Sequence, residues 1–206
     1  TAGNPVYNGL YIHRSRWGQG NYYLGVHTLD VLQSRFSDAA IAPRVWLYSA
    51  YRTTIVAGVN IGFRASHKNN SIHVPILWGL SAAEVNVTHP EMFLKEGRWF
   101  MPGDTGVVII TTDQAKRLGI THVPETITIE NTEFLAIGII QEKYLYLKDV
   151  EGEEIAPIMY GGPVSPNPWN IHVPDYYCLI LPYKDVLNLG GVWNGLASVS
   201  IAFKNA

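Results

Sequence analysis

The sequence predicts an α+β protein in which both chain ends form a split β-α-β layer and the middle of the chain is a β-rich inserted subdomain. Three observations predict it. The chain carries 12 Tyr, 6 Trp and 6 Phe beside 19 Gly and 12 Pro, and flat or β-branched side chains suit a pleated surface that Gly and Pro punctuate with turns. A strand, helix, strand order is readable at the start of the chain and again at its end. The two units stand about 110 residues apart, so the layer they build has to be split by an insertion. Residues 1–65 and 175–206 are accordingly expected in one subdomain and residues 66–174 in the other. The two termini should then lie at the same end of the molecule.

The elements follow in order. Leu10-Tyr-Ile-His-Arg14 has strand composition and follows the turn dipeptide Asn8-Gly9. Thr28 is placed to cap a short helix that carries Leu29, Leu32 and Phe36 on one face and ends before Pro43. Arg44 to Tyr51 and Thr54 to Arg64 read as one long bent strand or two shorter ones, closed by the polar turn Ser66-His-Lys-Asn-Asn70. Val107-Val-Ile-Ile110 is a buried strand. Thr111-Thr-Asp-Gln114 fits a capping box, in which hydroxyl and amide each satisfy an orphan backbone N–H, and Gly119 is suited to the left-handed stop of that helix. Glu125 to Glu130 alternates with period two into a turn at Asn131 and returns as Phe134 to Ile140. Ile155 to Pro174 has no Asp, Glu, Lys or Arg but five prolines, which forbid a helix and predict a loop. The tail reads as a strand over Tyr176 to Leu181, a helix over Tyr183 to Leu189 stopped by Gly190-Gly191, and a strand over Ala197 to Phe203.

Composition excludes several functions. Hydrophobic residues at 47% and charged residues at 16% rule out intrinsic disorder, and a chain this long buries roughly 70% of its unfolded surface. Fifteen Lys and Arg against seventeen Asp and Glu give a net charge of −2, without the basic excess that grips a phosphate backbone, so no nucleic-acid partner is expected. The single cysteine, Cys178, allows no internal disulfide. No window reaches the run of about 20 apolar residues that a membrane helix needs. Neither a Gly-x-x-x-x-Gly-Lys-Ser/Thr loop nor a Gly-x-Gly-x-x-Gly turn is present, so no nucleotide cofactor is expected.

Other constellations are weaker. Gly79-Leu-Ser81-Ala-Ala83 approaches a nucleophile elbow but lacks its final glycine, and Val85, Val87 and Pro90 interrupt the helix that should follow. The histidines at 13, 27, 67, 73, 89, 122 and 172 form no His-x-x-x-His pair, so no metal is expected. Asp149, Glu151, Glu153 and Glu154 read as a solvated turn rather than a cation loop. The tryptophans at 17, 46, 78, 99, 169 and 193 could stack on sugars or fill a core, with Trp169, set among prolines, the one surface anchor.

The longest ordered signal is Gly97-Arg-Trp-Phe100, Asp104, Val107 to Ile110, Gln114-Ala-Lys-Arg-Leu-Gly-Ile120, Thr126-Ile-Thr-Ile129 and Phe134-Leu-Ala-Ile-Gly-Ile-Ile140. It resembles the extracytoplasmic core domain of MacB/FtsX-like ABC-transporter permeases, whose pattern is a Gly-Arg-aromatic turn, a buried strand, a helix with Ala-x-x-Leu-Gly and a hairpin ending in an apolar-x-Gly-apolar run. Leu77-Trp-Gly-Leu-Ser81 and Leu181-Pro182-Tyr183 fit the same pattern, whereas Pro124 stands where the family usually has Gly. The match covers Ile76 to Ile140 and, more loosely, Tyr176 to Phe203.

The resemblance implies a membrane-proximal part, called Porter in that family, and an inserted part, called Sabre. It implies a non-catalytic extracytoplasmic domain, excised from membrane helices on either side, in a permease that pairs as a dimer and works with a separate cytoplasmic ATPase. An adaptor protein, a lipoprotein or an exported peptide or drug would be its partner. Its motif residues, Gly97, Arg98, Trp99, Phe100, Asp104, Ala115, Leu118, Gly119 and Gly138, are architectural. Arg98 is expected to pair with Asp104, and Trp99, Phe100, Ala115 and Leu118 to share one core. Partner contact is expected on the uncharged loop, with Tyr160 and Trp169 as aromatic anchors. The alternatives from the residues themselves are a secreted carbohydrate- or ligand-binding module and, in second place, a serine hydrolase using Ser81.

Overall fold

The computed structural model describes residues 9–13, 24–49, 55–56, 59–60, 62–146, 156–159, 171–172, 178–190 and 195–203. In chain order its strands and helices are β1 (Gly9–His13), α1 (Thr28–Arg35), β2 (Ala40–Tyr48), β3 (Ile55–Val56), β4 (Val59–Asn60), β5 (Phe63–His67), β6 (Asn70–Val74) and β7 (Ile76–Leu80). Then come β8 (Leu94–Gly97), β9 (Val107–Thr111), α2 (Thr112–Leu118), β10 (Glu125–Ile129), β11 (Thr132–Ile140), β12 (Ile158–Met159), β13 (Ile171–His172), β14 (Cys178–Pro182), α3 (Tyr183–Gly190) and β15 (Ser198–Ala202).

Eleven strands join in one mixed sheet of order β1-β15-β2-β7-β14-β9-β11-β10-β5-β6, with β8 on β11. β14 runs parallel to β7 and β9 parallel to β11, and the other ladders are antiparallel. The order adds something local patterning could not contain. β7, from the stretch expected in the insertion, lies between β2 and β14 from the chain-end stretches, and β5 runs across the expected boundary at residue 65.

Central strands are buried on both faces, and alternation sends their side chains to two separate cores. On one face Val108, Ile110, Leu77, Leu179 and Leu181 meet Leu29 and Leu32 of α1, Ala115 and Leu118 of α2 and Val186 of α3. On the other Val107, Ile109, Trp78, Cys178 and Ile180 meet Trp99, Phe100 and Tyr144. The expectation that Trp99, Phe100, Ala115 and Leu118 share one core is therefore corrected, because the sheet itself stands between the two pairs.

Local chemistry explains the helix ends. Thr111 accepts from the Gln114 N–H and the Gln114 side chain accepts from the Thr111 N–H, closing the capping box, and Gly119 stops α2 at φ 70. Thr28 is the first helical residue of α1 and not its cap. Bonds from Thr28 N–H to Gly25 O (2.9 Å) and Leu29 N–H to Val26 O (3.0 Å) start a tighter turn one step earlier, leaving His27 at the cap position. The segment Thr54 to Arg64 is not a continuous strand, since β3 and β4 form a two-residue ladder of their own before β5. Ile155 to Pro174 is likewise not wholly loop, because Ile158 pairs with His172 and Met159 with Ile171.

Candidate functional site

The motif from Gly97 to Asp104 leaves the end of β8, where that strand meets β11. Gly97 and Gly138 are register partners. Gly97 has φ +81, and a Cβ there would come within 2.1 Å of Ile137 O; one on Gly138 would come within 2.8 Å of Arg98 O. Only glycine allows the two backbones this close, and the approach lets Arg98 N–H donate to Ile137 O at 3.0 Å.

The turn that follows is held by its own side chains. Arg98 donates to Asp104 through Nη1 at 2.6 Å and Nη2 at 3.3 Å, and also to Trp99 O at 3.0 Å. Asp104 also accepts the Met101 N–H at 2.8 Å. The hydrogen bond from Arg98 is the main cause that holds the Asp104 carboxyl below its ordinary range, and the same bond raises Arg98. Beyond the turn, Gly106 N–H donates to Asp185 in the first turn of α3 at 2.8 Å, which ties this segment to the C-terminal helix. Burial pushes that carboxyl up.

Trp99 and Phe100 enter the aromatic core, with ring centroids 5.0 Å apart. Tyr144 is its hub: it stacks on Trp78 at 5.6 Å, and Trp99 meets it edge-on at 5.9 Å. Trp99 Nε1 donates to Ser81 O at 3.2 Å. Trp46, Trp78 and Trp99 are thus core residues and offer no sugar platform. Trp17, Trp169 and Trp193, and with them both expected partner contacts, Tyr160 and Trp169, lie outside the described residues.

Sequence reading missed a second, fully buried arrangement. Arg44 on β2 holds Glu84 through Nε at 2.8 Å and Nη2 at 3.0 Å, both side chains being 0% exposed. Its Nη1 donates to Ser200 Oγ on β15 at 2.7 Å. Thr88 donates to Glu84 Oε2 at 2.8 Å and lies 3.2 Å from the Tyr144 hydroxyl. Burial, and after it the Glu84 charge, pushes the Tyr144 phenol up. The available signal was an arginine in the middle of an apolar strand.

Ser81 directly follows β7 with its side chain buried, and its hydroxyl makes no hydrogen bond among the described residues. His67 is buried, with Nδ1 3.0 Å from Leu118 O and Nε2 3.5 Å from Glu125. The described residues contain no group of three or more His, Cys, Asp or Glu able to hold a metal ion, and no helix among them is long and apolar enough to cross a membrane.

At the far edge of the sheet β1 pairs with β15 in antiparallel register, from Gly9 with Ala202 to His13 with Ser198. The chain enters and leaves the sheet at one point, as expected from the sequence. With the Gly97 to Asp104 turn, the helices on one face and the aromatic core on the other, this is the fold of MacB/FtsX-like extracytoplasmic domains. Two solved structures carry that comparison. The periplasmic region of MacB from Actinobacillus actinomycetemcomitans is 16% identical with a TM-score of 0.58, over 97% of this chain and 76% of that one. The extracellular domain of the ABC-type transporter YknZ from Gram-positive bacteria is 11% identical with a TM-score of 0.54, over 96% and 85% of the two chains. No family model and no curated protein matches the chain.

Proposed function

We propose that this chain is the extracytoplasmic domain of an ABC-transporter permease, itself non-catalytic, which couples the motion driven by a separate cytoplasmic ATPase to a partner protein or an exported substrate. The observation that carries the reading is the pairing of Gly9 with Ala202, within a fold shared with two transporter domains. A domain joined at both ends to one bilayer needs its ends together.

In this reading the split layer comprises the strands and helices of residues 1–65 and 175–206, with β7 drawn in between β2 and β14, and residues 66–174 supply the inserted part. Gly97, Gly138 and the Arg98–Asp104 pair shape the turn between β8 and β9 within the inserted part, while Tyr160 and Trp169 offer aromatic anchors to the partner. The domain works outside the cytoplasm. The parent gene tests this: apolar helices on both sides of the chain and a neighbouring ATPase gene are expected, and a parent protein without membrane helices would overturn it.

A further inference from the structure

We infer that the outer edge of β6 docks an extended acidic segment of a partner protein, which adds to the sheet as a further strand. The inference does not depend on the permease reading. β6 ends the strand order, and among the described residues its one strand neighbour is β5. Which of its backbone groups face outward follows from β5. Glu130 N–H donates to Arg64 O at 2.7 Å and Arg64 N–H to Glu130 Oε1 at 2.8 Å, so the backbone of Arg64 points away from β6. Peptide groups alternate along an antiparallel strand, so Phe63, Ala65 and His67 bond to their register partners Val74, Ile72 and Asn70. Ser71 and His73, both exposed, are left with N–H and C=O pointing outward, without a backbone partner among the described residues.

Proteins blunt such edges with charge, proline or a bulge. β6, Asn70-Ser-Ile-His-Val74, carries no Asp, Glu, Lys, Arg or Pro, and its ladder with β5 runs over five pairs without a register shift. It is a template for another strand. Charge selects the occupant. Arg64 is the register partner of His73, and both are exposed on the face opposite Ile72 and Val74. On the other face lies α2, with Lys116 exposed in its last turn. Neither the Arg64 nor the Lys116 side chain has a partner among the described residues. The neighbouring cations are engaged: Lys68 lies 3.6 Å from Glu125, and Arg117 2.7 Å from Asp113. Of the carboxylates, Glu130 is taken up by the Arg64 N–H. Glu133 stands on β11, three strands in from the edge, or about 14 Å at the usual strand spacing. The charge left over beside the edge is therefore positive.

The test follows amide hydrogen exchange in this chain by NMR, with a short blocked peptide that alternates Val with Glu. Exchange at Ser71 and His73 should slow about tenfold or more once the peptide is bound, while Ile72 and Val74, already bonded to β5, stay as protected as before. The same peptide with Lys in place of Glu should have little effect. Ser71→Pro removes an outward donor and leaves the β5 ladder intact, so it should abolish the slowing at His73, with retained protection of Ile72 as the sign of folding. Should that variant not fold, Arg64→Glu, an exposed change, should weaken the response to the Glu peptide and strengthen that to the Lys peptide. Exchange unaltered by the Glu peptide, or slowed equally by both peptides, would overturn the proposal. Protection that needs no peptide and grows with protein concentration would overturn it too, the occupant then being a second copy of this chain.

Discussion

Gly97 and Gly138 face each other across the β8–β11 ladder, and neither has room for a Cβ. The obstruction at Gly97 is backbone, Ile137 O at 2.1 Å, so a side chain cannot be accommodated by a rotamer change. Gly97→Val also forces a β-branched residue into φ +81. The conformational part alone costs about 1–3 kcal/mol, and separation of the strands adds to it. Urea denaturation should show a clearly lowered midpoint, and Gly138→Ala should lower it too. An unchanged midpoint would remove the argument for the turn.

Asp104 should make stability depend on acid. Its folded-state carboxyl lies below the ordinary 3.8 because Arg98 donates to it, so the pair stabilises the fold above that value. The stabilisation disappears as the pH falls through the lowered one. Asp104→Asn should cost about 1 kcal/mol at neutral pH, the pair being partly exposed, and the gap to wild type should close in acid. Asp185, raised by burial, moves with the opposite sign, so the variant must be read against wild type at each pH. A gap that persists in acid would contradict the assignment.

Arg44 and Glu84 are the costliest side chains to separate. Removing either leaves the other charge buried without its partner, at about 3–5 kcal/mol. Arg44→Met with Glu84→Leu removes both charges and should cost much less than the two single changes added together. A double-mutant cycle measured by denaturation checks this, and additive losses would contradict it.

Much of this was legible locally. The capping box of Thr111 and Gln114, the stop at Gly119 and the hairpin from Glu125 to Ile140 depend on neighbours in sequence, whose chemistry a short window contains. The Arg98–Asp104 pair, six residues apart, was legible for the same reason. The Arg44–Glu84 pair spans 40 residues, and the place of β7 between β2 and β14 depends on strands far apart in the chain. No periodicity encodes either. Nor does it tell which face of a doubly buried strand Trp99 or Leu118 will cover, since Val107 to Ile110 is apolar throughout.

Gln114 links helix to sheet. Besides closing the cap, its Nε2 donates to Cys178 O at 2.6 Å. Gln114→Leu leaves the buried Thr111 N–H and Cys178 carbonyl without this partner, at about 1–3 kcal/mol for each group that stays dry. Hydrogen exchange at the Thr111 amide should quicken in the variant. Unchanged exchange and an unchanged midpoint would show that the bond contributes little.

The most direct measurement is the side of the membrane on which this chain lies. Met92 and Met101 are exposed, and Cys178 is buried with its thiol pushed up by burial, so M92C and M101C would carry the reactive thiols of this domain among the described residues. In spheroplasts making the intact parent protein, a membrane-impermeant maleimide should label both variants without lysis. Labelling of these positions only after lysis would place the domain in the cytoplasm and contradict the account.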